Sequence, residues 1–159
     1  MTIKERLTDI STNRLKLVVM HGAEATLLAS FNRINHDGIP VVNIGKSLAG
    51  SLQSKIGSKH IDIEAQKALN SIITTQAVNL TGLLYKTVCL HNIGMLFEPQ
   101  LEIDESQFIR DLSKSYFVII LWENEIDSDG KLCWKNDKNK YQLNITNTDY
   151  HLITLNDEI

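Results

Sequence analysis

The residues with the most chemical content in this chain lie where apolar runs end. Leu15, Leu17, Val18, Val19 and Met20 form such a run, and His21-Gly22-Ala23-Glu24-Ala25-Thr26 follows it. A buried strand, a glycine-bearing loop and a helix N-terminus together make a phosphate cradle. Backbone amides face the anion there, and a lysine reaches its terminal oxygens. With Thr26 at the last position of G-x-x-x-x-G-K-[ST], Gly22 falls at an inner position and Ala25 stands where the lysine belongs. Alanine offers no cation, and Glu24 puts a negative charge where a triphosphate would lie. The architecture of a phosphate loop is kept and its chemistry is lost.

A magnesium nucleotide also needs an acid at the end of a neighbouring strand. The matching run, Thr87-Val88-Cys89-Leu90, ends in His91-Asn92. A neutral imidazole is a poor ligand for Mg²⁺, which prefers carboxylate and water oxygens. Two independent losses on one scaffold argue against ATP hydrolysis. Gly45-Lys46-Ser47 also follows a strand and precedes a helix, but Pro40 occupies the place of the first glycine. That segment reads as a solvated loop with Ser47 as helix cap, its N-terminus able to hold an anion weakly. His21 and His91 would share one crevice, yet no ligand spacing supports a metal, and hydrogen-bonded loop residues are the favoured reading. Trp122, Trp134 and Tyr141 could stack on a base; packing of a hairpin against the sheet explains them as well. Glu123, Glu125, Asp127 and Asp129 read as a solvated acidic stretch.

These positions need a scaffold. The chain predicts a short amphipathic helix over residues 3–10, a strand at 15–20 and a helix from Thr26 through Ile34. A second strand at 39–44 opens with Pro40, followed by a helix at 47–56 that ends at Gly57-Ser58-Lys59. Ile63, Ala65, Leu69, Ile72, Ile73 and Ala77 mark one face of a helix from Asp62 to about Ala77. Strands at 85–90 and 116–122 flank a helix at 104–112. A hairpin pairs residues 131–134 with 140–143, turning at Asn136-Asp137-Lys138-Asn139, and a last strand covers 150–155. Strands alternating with helices give an α/β domain with a mostly parallel five-stranded sheet, the hairpin added to it. Ligands bind such sheets at the carboxyl ends of the strands. The Gly22 loop, residues 43–47, His91-Asn92 and Glu123-Asn124 would meet there.

Composition narrows the function classes. A chain of 159 residues with 43% hydrophobic and 22% charged residues is expected to form one globular domain, residues 1–159. A net charge of -3 gives no global attraction to nucleic acid or anionic membrane. Cys89 and Cys133 lie in apolar or aromatic segments without metal spacing, as expected of buried thiols in a reducing compartment. The N-terminus has no apolar signal-peptide core, and no run approaches a membrane span. A cytoplasmic protein is expected.

With these motifs placed, the chain resembles BrxF, the small P-loop protein of type 3 BREX phage-defence systems. The segment Leu90-His91-Asn92-Ile93-Gly94-Met95-Leu96-Phe97-Glu98-Pro99 resembles that family's acid-bearing segment, with His91 in place of the acid. Val118-Ile119-Ile120-Leu121-Trp122, Gly130-Lys131-Leu132 and Tyr141 resemble its strand, tryptophan and hairpin. The resemblance implies a three-layer, P-loop NTPase-like fold with an AAA+-like core, strand order 5-1-4-3-2 and no helical lid. It implies vestigial nucleotide-site positions at Gly22, Ala25, Thr26, His91, Asn92 and Asn124, the last as a sensor residue, with Arg110 as a weak arginine-finger candidate. The expected function is a non-catalytic subunit, without cofactor, that joins larger protein subunits of a defence complex; the same surfaces leave a homo-oligomer open. One alternative is a nucleotide-binding protein or weak ATPase that takes ATP or ADP with Mg²⁺, Lys46 or a partner's lysine supplying charge. Another is a DNA-binding adaptor using Lys46, Lys55, Lys59, Lys135, Lys138 and Lys140.

Overall fold

The computed structural model describes residues 2–55, 57, 59–135 and 140–155. Strands β1 (Leu17–His21), β3 (Thr87–His91) and β4 (Phe117–Trp122) are apolar on both faces, the pattern of strands covered on both sides. Two short strands, β2 (Val41–Asn43) and the late strand His151–Thr154, close the edges. With the hairpin strands β5 (Cys133–Lys135) and β6 (Lys140–Gln142) between them in sequence, that last strand is β7. The sheet order is β2-β3-β4-β1-β7, and all four pairings are parallel. Numbering the five sheet strands in sequence gives 5-1-4-3-2, the expected order, with every neighbour parallel.

Register assigns the two faces. Leu17 sits beside Val118 and Val19 beside Ile120 on one face, whereas Val18 pairs with Ile119 and Met20 with Leu121 on the other. The first face packs on α3 (Ile44–Leu52), α4 (Ile61–Gln76), α5 (Glu105–Ser115) and the hairpin through Leu48, Leu69, Ile109, Leu132 and Leu143. The second packs on α1 (Ile3–Asp9) and α2 (Leu27–Ile34) through Leu7, Leu27 and Phe31. Of the connections, only the one from β1 to β2 steps along the sheet towards β2; the other three step the opposite way. A single hand of crossover therefore requires α2 on the face opposite α3, α4 and α5, which is where it lies. Three layers result.

The boundaries differ from the sequence reading in informative places. β2 is confined to three residues because Pro40 lacks an N–H and because Asn43 leaves the strand to cap α3. Its side chain accepts the Lys46 amide at 2.9 Å, so the helix begins at Ile44. Ser47 is thus inside the helix and does not cap it. The expected end of that helix at Ile56, the Ser58 of its stop signal and the hairpin turn at residues 136–139 lie outside the described residues. The described arms of the hairpin pair antiparallel, Trp134 opposite Tyr141. Trp134 lies so close over Gly94 that a β-carbon there would come within 2.7 Å of the indole. Phe97, Trp134 and Tyr141 stack with centroids 5.4–5.8 Å apart. These rings hold the hairpin to the domain, and Trp122 is 2% exposed, as packing rather than base stacking requires.

Candidate functional site

The crevice expected of this topology opens where neighbouring strands send their chains to opposite faces, here between β1 and β4. From β1 the chain crosses Gly22-Ala23-Glu24-Ala25 and reaches Thr26, the N-cap of α2. This is a tight turn. The Ala23 carbonyl accepts the amides of Thr26 at 3.1 Å and Leu27 at 2.8 Å, while the Gly22 amide goes to the Trp122 carbonyl at 3.2 Å. Leu27 and Leu155 close over Gly22, where an added β-carbon would meet Leu27 Cδ1 at 3.2 Å. Ala25 and Glu24 are exposed.

The other expected positions gather at the same edge and engage one another. His21 Nε2 lies 2.8 Å from the Asn124 carbonyl, which can only accept, so Nε2 carries the proton. Glu123 Oε2 stands 3.5 Å from His91 Nε2. The Asn92 amide nitrogen donates to Asn43 Oδ1 at 2.9 Å, and the Asn92 carbonyl accepts the Gly45 amide at 3.0 Å. Asn92 adopts a left-handed conformation, φ 56°, which asparagine tolerates better than most residues. The Leu155 amide donates to the His21 carbonyl at 2.7 Å. Polar contacts thus join β2 to β3, β3 to β4, β4 to β1 and β1 to the end of β7. The result is a seam across the whole carboxyl edge.

The geometry answers several expectations. His21 and His91 point to different partners on β4's exit, and no group of three or more His, Cys, Asp or Glu residues able to hold a metal occurs among the described residues. The first-turn amides of Gly45 and Lys46 are occupied by Asn92 and Asn43, which removes the anion cradle considered for that helix. Lys46 starts from the end of β2, three strands away from the β1 loop, about 14 Å across the sheet. One lysine side chain does not bridge that gap. The crevice therefore offers no lysine in the place of Ala25 and no strand-end acid in the place of His91, and these groups do not fit a magnesium triphosphate. What the fold uses of Asn124 is its carbonyl.

Among the lysines considered for DNA, Lys135 is 3.6 Å from Glu125 on the hairpin. Lys46 is on α3, Lys55 and Lys59 lie in the α3–α4 connection, and Lys138 falls outside the described residues. Cys89 and Cys133 are buried, and burial pushes the Cys89 thiol far above the usual range, leaving it unreactive.

A second polar region, not anticipated from sequence, occupies the opposite, amino edge of the sheet. A cleft of about 370 Å³ is lined there by Arg14, Arg110, Lys114, Asp149 and His151, among others. Arg110 Nη2 donates to the Asn144 carbonyl at 2.7 Å and approaches Asp149 Oδ2 at 3.4 Å. The arginine-finger candidate is thus braced at the end of the sheet away from the crevice. Lys16, in the same region, donates to the Lys114 carbonyl at 2.8 Å and lies 4.4 Å from the Tyr85 ring centroid; desolvation lowers its pKa.

No protein-family model matches the chain, and no curated protein or solved structure does. Among the described residues, no helix is long and apolar enough to cross a membrane.

Proposed function

We propose that this protein is a non-catalytic subunit with a P-loop NTPase-like fold, close in architecture to an AAA+ core, and that it serves as an assembly or regulatory module of a BREX-type phage-defence complex. The parallel order β2-β3-β4-β1-β7 supports the fold reading, being the order that the resemblance to BrxF implies. The observation that carries the non-catalytic reading is the seam. Three of the expected site positions are paired with neighbouring strand ends, Asn124 through its carbonyl with His21, His91 with Glu123 and Asn92 with Asn43. A polar group already paired inside the fold gives up that pairing to bind a ligand, which weakens any such site. In this proposal the crevice fixes the relative positions of the strand ends, and the outer faces of the domain meet larger subunits in the cytoplasm.

The test is complementation in cells carrying the complete defence system. Deleting this chain is expected to abolish phage restriction. The double variant Thr26→Ala, His91→Ala is expected to restore restriction and to co-purify with the larger subunits. Loss of restriction by a folded, co-purifying double variant would contradict the non-catalytic reading. Unchanged restriction after deletion would contradict the assignment to defence.

A further inference from the structure

The cleft at the amino edge is built by residues that stand just before three strands. Arg14 precedes β1, Lys114 precedes β4, and His151 opens β7. The strand order places β4, β1 and β7 side by side, so these residues converge although they are far apart in sequence. Arg110 adds a third permanent cation from α5, and Asp149 is the one carboxylate in the lining. A chain with a net charge of -3 thus gathers three cationic side chains against one acid in a small recess.

The acid is already engaged. Asp149 Oδ2 lies 3.4 Å from Arg110 and accepts the Thr146 amide at 2.8 Å. Together with the Asn144 carbonyl it holds the Arg110 guanidinium in one place through Nη2. Among the described residues, the Lys114 ammonium has only a long contact, 3.7 Å, to the exposed Asp111. The Arg14 side chain has no polar partner among the described residues, and it is exposed. Arg6 Nη1 approaches His151 Nε2 at 3.3 Å; a guanidinium can only donate, so Nε2 accepts and the imidazole keeps its proton on Nδ1. Of the permanent cations in the lining, Arg14 and Lys114 are thus left without a close partner among the described residues.

We propose that this cleft binds the phosphate group of a small phosphorylated molecule. Planar guanidinium forks match phosphate oxygens, and a dianion answers an excess of two positive charges. A recess of about 370 Å³ is on the scale of a small-molecule site. The site lies at the end of the sheet opposite the β1–β4 crevice and is independent of the function proposed above.

The experiment is calorimetric titration of the full chain with inorganic phosphate and with pyrophosphate in chloride buffer, repeated for Arg14→Gln, Lys114→Gln and the distant control Lys46→Gln. A single-stranded oligonucleotide forms a separate arm. Saturable binding of both small anions is expected, weakened about tenfold by each of the first two substitutions and unchanged by the third. Unaltered thermal melts of the variants would keep the loss assigned to the cleft, since neither side chain carries a close contact. Absence of saturable binding at millimolar anion would overturn the proposal, as would binding indifferent to Arg14 and Lys114. Oligonucleotide binding with a steep salt dependence, and no binding of the small anions, would overturn it in favour of a nucleic-acid backbone.

Discussion

The carboxyl and amino edges of one sheet are both polar, yet their groups are arranged in opposite ways. At the carboxyl edge, donors and acceptors alternate along the strand ends and close on one another, from Asn43 and Asn92 through His91 and Glu123 to His21 and Asn124. At the amino edge, cations of one sign face a common recess with a single carboxylate among them. The topology points to the first as a ligand site. The pairing of its side chains points to the second. A fold offers an address, and whether a ligand can use it depends on which groups the fold has left uncommitted.

This contrast can be broken at the carboxyl edge. The largest effect is expected from Trp122→Ala. The indole is buried at the end of β4 and donates to the Glu125 carbonyl at 3.0 Å, shaping the turn that carries Glu123 and Asn124. Its loss should cost about 3–5 kcal/mol in urea unfolding. Gly45→Ala comes next. The added methyl would lie 2.5 Å from Asn92 Nδ2, so a cost of about 1–3 kcal/mol is expected. Adding Asn92→Gly should recover most of it, because glycine removes the obstructing amide and accepts the left-handed backbone. Failure of that rescue would place the clash elsewhere than in the seam.

Smaller changes sharpen the comparison. Glu123→Gln should cost less than about 1 kcal/mol, because the His91 contact is long and partly solvated. A double-mutant cycle with His91→Gln should return a coupling no larger. Arg14→Gln should leave stability within about 0.5 kcal/mol, as expected of an exposed side chain without a close partner. Its effect belongs to anion affinity, which separates a binding cleft from a structural seam in one variant.

Much of the scaffold was legible from the chain. Leu17 to Met20, Val88 to Leu90 and Phe117 to Trp122 are apolar in succession, and such runs between helical patterns have few places in an α/β sheet. That Ala25 and His91 differ from the lysine and acid of a phosphate-binding motif was readable because such a motif defines what should stand there. The start of α3 was not visible, since Ile44 reads as the end of a strand and Gly45-Lys46-Ser47 as a loop until the Asn43 side chain is seen to cap the helix. The partners of the seam were equally hidden: His21 meets Asn124 across 103 residues and Asn92 meets Asn43 across 49. Arg14, Lys114 and His151 belong to no motif. Their shared position before adjacent strands acquires meaning once the strand order is known, and the sequence reading passed over them for lysines on other surfaces.

A carboxyl-edge crevice closed on itself should hold no nucleotide. Calorimetric titration with ATP and Mg²⁺ tests this most directly, using the Arg14→Gln, Lys114→Gln double variant so that binding at the amino-edge cleft is weakened. No saturable binding at millimolar ATP is predicted. Micromolar, Mg²⁺-dependent binding in that variant would contradict the claim, and its loss on adding Thr26→Ala would place the nucleotide in the β1 loop.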